Sequence, residues 1–237
     1  MALAIVDSRI SEKTSRRLEI LGFNTIKLPP SISLSEPIAS HPDMLMFLHN
    51  NTLITSCTYC DEAAFVFSDI REYSPDTKIV FADEEFSPKY PNDAIYNALV
   101  IGNRLFCKSD TVSRTVLEYA KAANLKIHST KQGYPACTTL ALGDKHAITA
   151  DPGMAKVMSD AKIEVLLIEN GGISLPPYEY GFIGGCAGVY KNTVYFIGNP
   201  ASLPSSKKII SFCKTAGFEV TPLSDEPLSD LGRILFI

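Results

Sequence analysis

Three aspartates and two cysteines recur at matched intervals along this chain. Asp43, Asp93, Cys137, Cys186 and Asp230 are separated by 50, 44, 49 and 44 residues. Brought to one place, thiols and carboxylates can do two things: a thiolate attacks an electrophilic carbon, and carboxylates hold a cation through charge-assisted hydrogen bonds. His41 stands two residues before Asp43. Its ordinary pKa lies near neutrality, which makes it the natural general acid or base. The five positions fall in short polar or glycine-rich stretches: Ser40-His-Pro-Asp43, Tyr90-Pro-Asn-Asp93, Tyr134-Pro-Ala-Cys137, Gly184-Gly-Cys186 and Leu228-Ser-Asp230. Three carry proline, which presets an extended lead into the next strand. Alternate residues of an extended segment share a face. His41, Asp43, Asp93, Asn97, Cys137, Thr139, Gly184 and Cys186 would then line one surface, with Leu45 and Ile95 as its apolar exceptions. The plainer alternative is that each residue merely opens a strand, Asp and Asn as turn formers and Cys as a small apolar packer.

The elements that position these stretches repeat. Thr52–Ser56, Arg104–Asp110, His146–Asp151 and Thr193–Gly198 are short apolar runs, each ending in a polar helix start. Each is preceded by a second apolar run and a turn, at Asn50-Asn51, Gly102-Asn103, Gly143-Asp144 and Lys191-Asn192, residues that tolerate hairpin backbone angles. Helices follow at about 11–21, 61–73, 111–123, 151 onward and 204–216, each succeeded by another short strand. Ala2–Asp7 matches the outgoing strand of this unit but lacks a partner before it; Leu231–Ile237 matches the incoming strand. The expected fold is therefore α/β: five strand–helix–strand–hairpin repeats in one domain over 1–237, closed by pairing the first strand with the last. A doubly wound sheet is the rival, though it leaves four evenly spaced hairpins unexplained.

Bulk properties narrow the function. The chain has 237 residues, 46% hydrophobic and 20% charged, with a net charge of −4. That balance offers no basic face for nucleic acid. No apolar run reaches the ~20 residues needed to span a bilayer, and the first residues lack the basic flank of a signal peptide. Six cysteines in a chain of this size suggest a reducing cytoplasm rather than a disulfide scaffold. Cys57-Thr-Tyr-Cys60 has no second ligand pair at metal spacing, so neither a metal nor a cofactor is expected. Gly181–Gly188 resembles a nucleotide loop but precedes a strand rather than a helix, so its glycines are read as sites of close backbone approach. His128 and His146 are assigned to strands, and Tyr178 and Tyr180, after Pro176-Pro177, to a loop able to cover a mouth.

With these repeats, the chain resembles the pentein superfamily. These are the five-bladed α/β propellers of arginine and agmatine deiminases and dimethylarginine dimethylaminohydrolases; a ribosome anti-association factor shares the fold without the chemistry. His41-Pro-Asp43 is similar to the family's His-x-Asp, and Glu169-Asn-Gly-Gly172 to its Glu/Asn-Gly-Gly loops. The family nucleophile comes from the last blade, where this chain has Ser229-Asp230, and the family His-x-Asp falls mid-chain rather than in the first blade. His41 and Cys137 nevertheless lie two blades apart, as in the family, so the same site could be circularly shifted. The resemblance implies Cys137 as nucleophile, Cys186 as second choice, and His41 as acid/base. Asp43, Asp93, Asn97, Asp230 and Glu169 would bind a cationic amidine or amine. Two functions follow: a cysteine-dependent hydrolase or transferase of guanidine- or amidine-like small molecules, or a non-catalytic pentein that binds a small ligand or a protein partner. The oligomeric state has no sequence signal.

Overall fold

Each apolar run assigned to the outgoing hairpin strand forms the middle of a three-stranded sheet. The structure, a computed structural model, describes residues 2–237. The chain opens with β1 (Ala2–Asp7), α1 (Glu12–Ile20) and β2 (Phe23–Leu28). Next come α2 (Pro42–Leu45), β3 (Met46–His49), β4 (Thr52–Ser56), α3 (Cys57–Glu62), α4 (Ala64–Tyr73) and β5 (Lys78–Ala82). The third unit is β6 (Leu99–Ile101), β7 (Arg104–Cys107), α5 (Arg114–Ala122) and β8 (Lys126–Ser129). The fourth is α6 (Pro135–Thr138), β9 (Thr139–Leu142), β10 (His146–Thr149), α7 (Pro152–Asp160) and β11 (Glu164–Leu167). The fifth is β12 (Ala187–Tyr190), β13 (Thr193–Phe196), α8 (Ser206–Thr215) and β14 (Glu219–Pro222), followed by β15 (Leu235–Phe236).

Five separate sheets result, β3-β4-β5, β6-β7-β8, β9-β10-β11, β12-β13-β14 and β15-β1-β2, in place of one continuous doubly wound sheet. All share one pattern: the middle strand pairs antiparallel with the first and parallel with the third. In the last sheet β1 pairs antiparallel with β15, Ala4 opposite Phe236 and Ile5 opposite Leu235. A parallel third strand requires a crossover, supplied by one helix in four units and by α3 with α4 between β4 and β5. The longer helices each bury one side: Leu18 in α1, Val66, Phe67 and Ile70 in α4, which packs against β2 of the neighbouring sheet, Val116 and Ala120 in α5, Met154 and Met158 in α7, Ile209 and Cys213 in α8. The first strands of the sheets lie side by side, β6 against β9, β9 against β12, and β12 against β15. Among the described residues no helix is long and apolar enough to cross a membrane.

Local signals explain most boundaries. The Ser11 hydroxyl accepts from the Thr14 amide to start α1, and Asp151 does the same for Met154 ahead of Pro152. Two expectations shift. The helix expected from Thr111 starts at Arg114, because the Ser113 side chain caps it. The one expected over 61–73 is two helices, α3 capped by Ser56 and α4, broken at Ala63.

Candidate functional site

Three of the five stretches leading into the hairpins are helical turns rather than extended, while Ser229 in the last keeps a β-bridge to Ser174. Pro42 and Pro135 open the short helices α2 and α6, and Asn92–Ala94 is a single 3₁₀ turn. The extended entry expected from proline is not found at these positions, because its fixed φ also suits the first helical position, which Pro42 and Pro135 take. Strand parity therefore does not govern these residues, and Asp43, Asp93 and Cys137 are set by helical turns instead.

Those turns are stitched together by a circuit of hydrogen bonds that returns to its start. Asn97 donates from Nδ2 to the Asp43 carbonyl (3.0 Å) and to Cys137 Sγ (3.0 Å), while its Oδ1 accepts from the Ala136 amide (2.8 Å). The Gly185 amide donates to the Cys137 carbonyl (3.0 Å), and the Gly185 carbonyl accepts from the Leu231 (3.0 Å) and Arg233 (2.8 Å) amides. The Asp43 amide then donates to the Gly232 carbonyl (3.1 Å). Close approach requires glycine. A Cβ at Gly184 would strike the carbonyls of Ala136, Cys137 and Thr139, one at Gly185 the Asp230 carboxylate, and one at Gly232 the His41 side chain.

Above this circuit lies a cavity of about 350 Å³. His41, Asp93, Cys137 and Asp230 line it, with Ile38, Tyr134, Leu175 and Phe182 as walls and the loop Tyr178–Tyr180 at its side. The Asp230 carboxylate accepts from the Phe182 (2.8 Å) and Gly232 (3.1 Å) amides, yet burial, with the Asp43 charge adding, pushes its pKa up to about 7. Burial likewise carries Asp43 up to about 6 and raises Asp93. Burial, then the charges of Asp43 and Asp230, holds the Cys137 thiol well above its ordinary range. His41 lies 3.8 Å from Asp7 and 4.0 Å from Asp230, which would favour its cation. Burial wins, with Arg9 adding, and drives its pKa down to about 3. The reason is local: Asp7 is already bound by Arg9, with Nε–Oδ1 at 3.0 Å and Nη2–Oδ2 at 2.6 Å, and Asp230 is itself hard to ionise. Burial thus favours the neutral imidazole, and of the buried carboxyls here Asp230 is moved furthest toward neutrality.

Of the sequence candidates, His41, Asp93, Cys137 and Asp230 meet at the cavity, and Asp43 and Asn97 sit in the circuit behind Cys137. Cys186 lies elsewhere, its Sγ donating to the Ile183 carbonyl (3.2 Å) within an apolar cluster. Glu169 is exposed and does not line the cavity. His128 stacks on Phe106, and His146 lies beside Glu164. Arg233 was missed. Its Nε is buried without a partner, and its charge acts on Asp43 and Cys137. Only its position three residues after Asp230 could have drawn attention to it. In the sequence Tyr134 stands out only as part of its stretch, yet its hydroxyl donates to Asp93 Oδ2 (2.8 Å).

Comparison with known proteins gives the family. Residues 5–235 match the model described as "Family of unknown function (DUF6873)". The chain belongs to DUF6873. No curated protein matches this DUF6873 chain in sequence. Solved structures do match in fold. Dimethylarginine dimethylaminohydrolase from Pseudomonas aeruginosa, in complex with citrulline, superposes with a TM-score of 0.54 at 9% identity, covering 94% of this chain and 91% of that one. Inosamine-phosphate amidinotransferase from Streptomyces griseus gives 0.55 at 14% identity, covering 92% and 76%. The N-terminal domain of ArgZ, bound covalently to a reaction intermediate, gives 0.54 at 12% identity, covering 96% and 91%. The fold of this DUF6873 protein is thus that of the pentein superfamily.

Proposed function

We propose that the cavity binds a small cationic amidine or guanidine and that Cys137 acts on its central carbon, as a cysteine-dependent hydrolase or amidinotransferase. The observation that carries this reading is the placement of one thiol and two buried carboxylates, Asp93 and Asp230, on the wall of a single small cavity. The five sheets are read as blades of one closed ring over 1–237, the hydrogen-bond circuit at its centre. The similar solved structures, of enzymes that handle guanidino and amidino groups by name, support the same class. The six cysteines, all unpaired, suit a cytoplasmic setting.

The chemistry follows from charge. A bound cation opposes the burial, and the Asp43 and Asp230 charges after it, that hold the Cys137 thiol protonated, so the thiolate forms once the ligand is in place. Its sulfur forms a bond to the amidine carbon, a carbon–nitrogen bond breaks, and the departing amine takes the proton released by the thiol, relayed through Asp230. Water, or a second amine in a transferase, then breaks the carbon–sulfur bond and restores the thiol.

The non-catalytic alternative is favoured by one observation: without a ligand both Cys137 and His41 are held neutral. Competition between a cationic and a neutral electrophile separates the two readings. Chloroacetamidine should alkylate Cys137 at least about tenfold faster than chloroacetamide, located by peptide mass mapping, with the label absent from Cys137→Ala. Equal rates for the two reagents would sink the catalytic reading. Calorimetric binding of an amidine without any Cys137 labelling would establish the binder instead.

A further inference from the structure

The walls of the cavity also limit what the rest of the ligand can be. Asp93, Asp230 and Glu179 face it, and no lysine or arginine is among the described residues lining it. The nearby cations are committed elsewhere or lie outside: Arg9 is bound to Asp7, and Arg233 does not reach the wall. A ligand with a carboxylate or phosphate would need a basic partner, as arginine forks supply in sites built for such groups. None is present.

The acceptors are not equivalent. Each oxygen of Asp230 already accepts one backbone amide. Asp93 is only 5% exposed, and its Oδ1 has no hydrogen-bond partner, while Oδ2 takes the Tyr134 hydroxyl. A buried acceptor left open beside a cavity calls for a donor from the ligand. His41 Nε2 is likewise unpartnered. The remaining surface is apolar or aromatic: Ile38, Leu175, Tyr134 and Phe182, with Tyr178 half exposed at 52%. At about 350 Å³ the space lies at the small end of ligand sites, which run from roughly 300 to 1,000 Å³.

We infer that the ligand is a monocation, an amidinium or guanidinium head seated on Asp93 and carried by a compact flat apolar body, with no carboxylate or phosphate of its own. The inference rests on the cation-binding reading above and narrows it to molecules that are not α-amino acids. The aromatic walls stack on the flat body and the delocalised head, and Glu179 at the exposed loop repels any anionic tail.

Calorimetric titration of the full chain with benzamidine, phenylguanidine, 4-carboxybenzamidine and arginine tests it. Benzamidine and phenylguanidine should bind, the added carboxylate should weaken binding by about tenfold or more, and arginine should be weaker still. Glu179→Lys changes an exposed loop residue and should restore part of the affinity for 4-carboxybenzamidine. Asp93→Asn should weaken benzamidine by at least about tenfold while leaving the melting curve cooperative. If 4-carboxybenzamidine or arginine binds as tightly as benzamidine, or Glu179→Lys leaves their ratio unchanged, the narrowed class is wrong while cation binding stands. If no amidine or guanidine binds at all, the underlying reading fails, and this inference with it.

Discussion

Burial moves the titratable groups of this site in opposite directions, His41 down to about 3 and Asp230 up to about 7, and that reverses the role a sequence assigns to an isolated histidine. The ordinary pKa of His41 is near neutral, but what decides its state is burial to 1% exposure, which no residue spacing reveals. A consequence is that cation affinity should rise with pH as Asp230 ionises. With a pKa of about 7, the ionised fraction at pH 6 is about a tenth, so benzamidine should bind about tenfold more weakly at pH 6 than above pH 8. Asp230→Asn should remove that dependence, and an unchanged pH profile in the variant would assign the titration to another group. Stability runs the opposite way. Asp43 and Asp230 hold protons more tightly folded than unfolded, so the folded state binds more protons between about pH 4 and 7 and loses stability as pH rises through that window. His41, with its folded pKa lowered to about 3, gains stability as pH rises toward its unfolded value near 6.5 and offsets one acid. The net decline is steepest from about pH 4 to 6. Urea midpoints measured across that range should show a shallower decline in Asp230→Asn than in the wild-type chain.

At the level of elements, the short helical turns α2 and α6 and the Asn97 side chain do the positioning. Deleting the Asn97 amide strands the Ala136 amide, the Asp43 carbonyl and the Cys137 thiol in a buried setting. Asn97→Ala should cost about 2–4 kcal/mol in urea unfolding and make Cys137 more accessible to neutral alkylating reagents. A loss below ~0.5 kcal/mol would show that the circuit is not structural. Gly185→Ala is expected to be worse, since its Cβ must displace the Asp230 carboxylate, and soluble yield with a melting curve will read that out. These dependencies were half visible in the sequence. The Gly181–Gly188 run signalled close backbone approach, and the periodic Pro-containing stretches marked the right places. The proline signal, compatible with both extended and helical starts, could not tell which followed. Asn97 was placed by strand parity that does not apply, and only its amide geometry explains why it matters.

Across the whole molecule, the repeat and the pairing of β1 with β15 were legible because apolar runs, turn residues and capping residues recur with local chemistry intact. Arg233 and the Asp93–Tyr134 bond were not, because they depend on packing between units far apart in sequence. Removing Leu235–Ile237 deletes β15, the buried Leu235 side chain and the paired Leu3–Ile237 backbone bonds. The truncated chain should lose roughly 3 kcal/mol or more, from apolar burial alone, and should lose benzamidine binding as the Asp230 stretch loosens. Retained melting temperature and affinity would show that this strand is dispensable. The same pairing orders events in time. Asp230 and β15 leave the ribosome after the other fourteen strands, so a growing chain can assemble four sheets while its cavity still lacks a wall. Cys137 is thus without the Asp230 side of its cavity until the fifth sheet assembles, and that sheet, joining segments more than two hundred residues apart, should be slow to form.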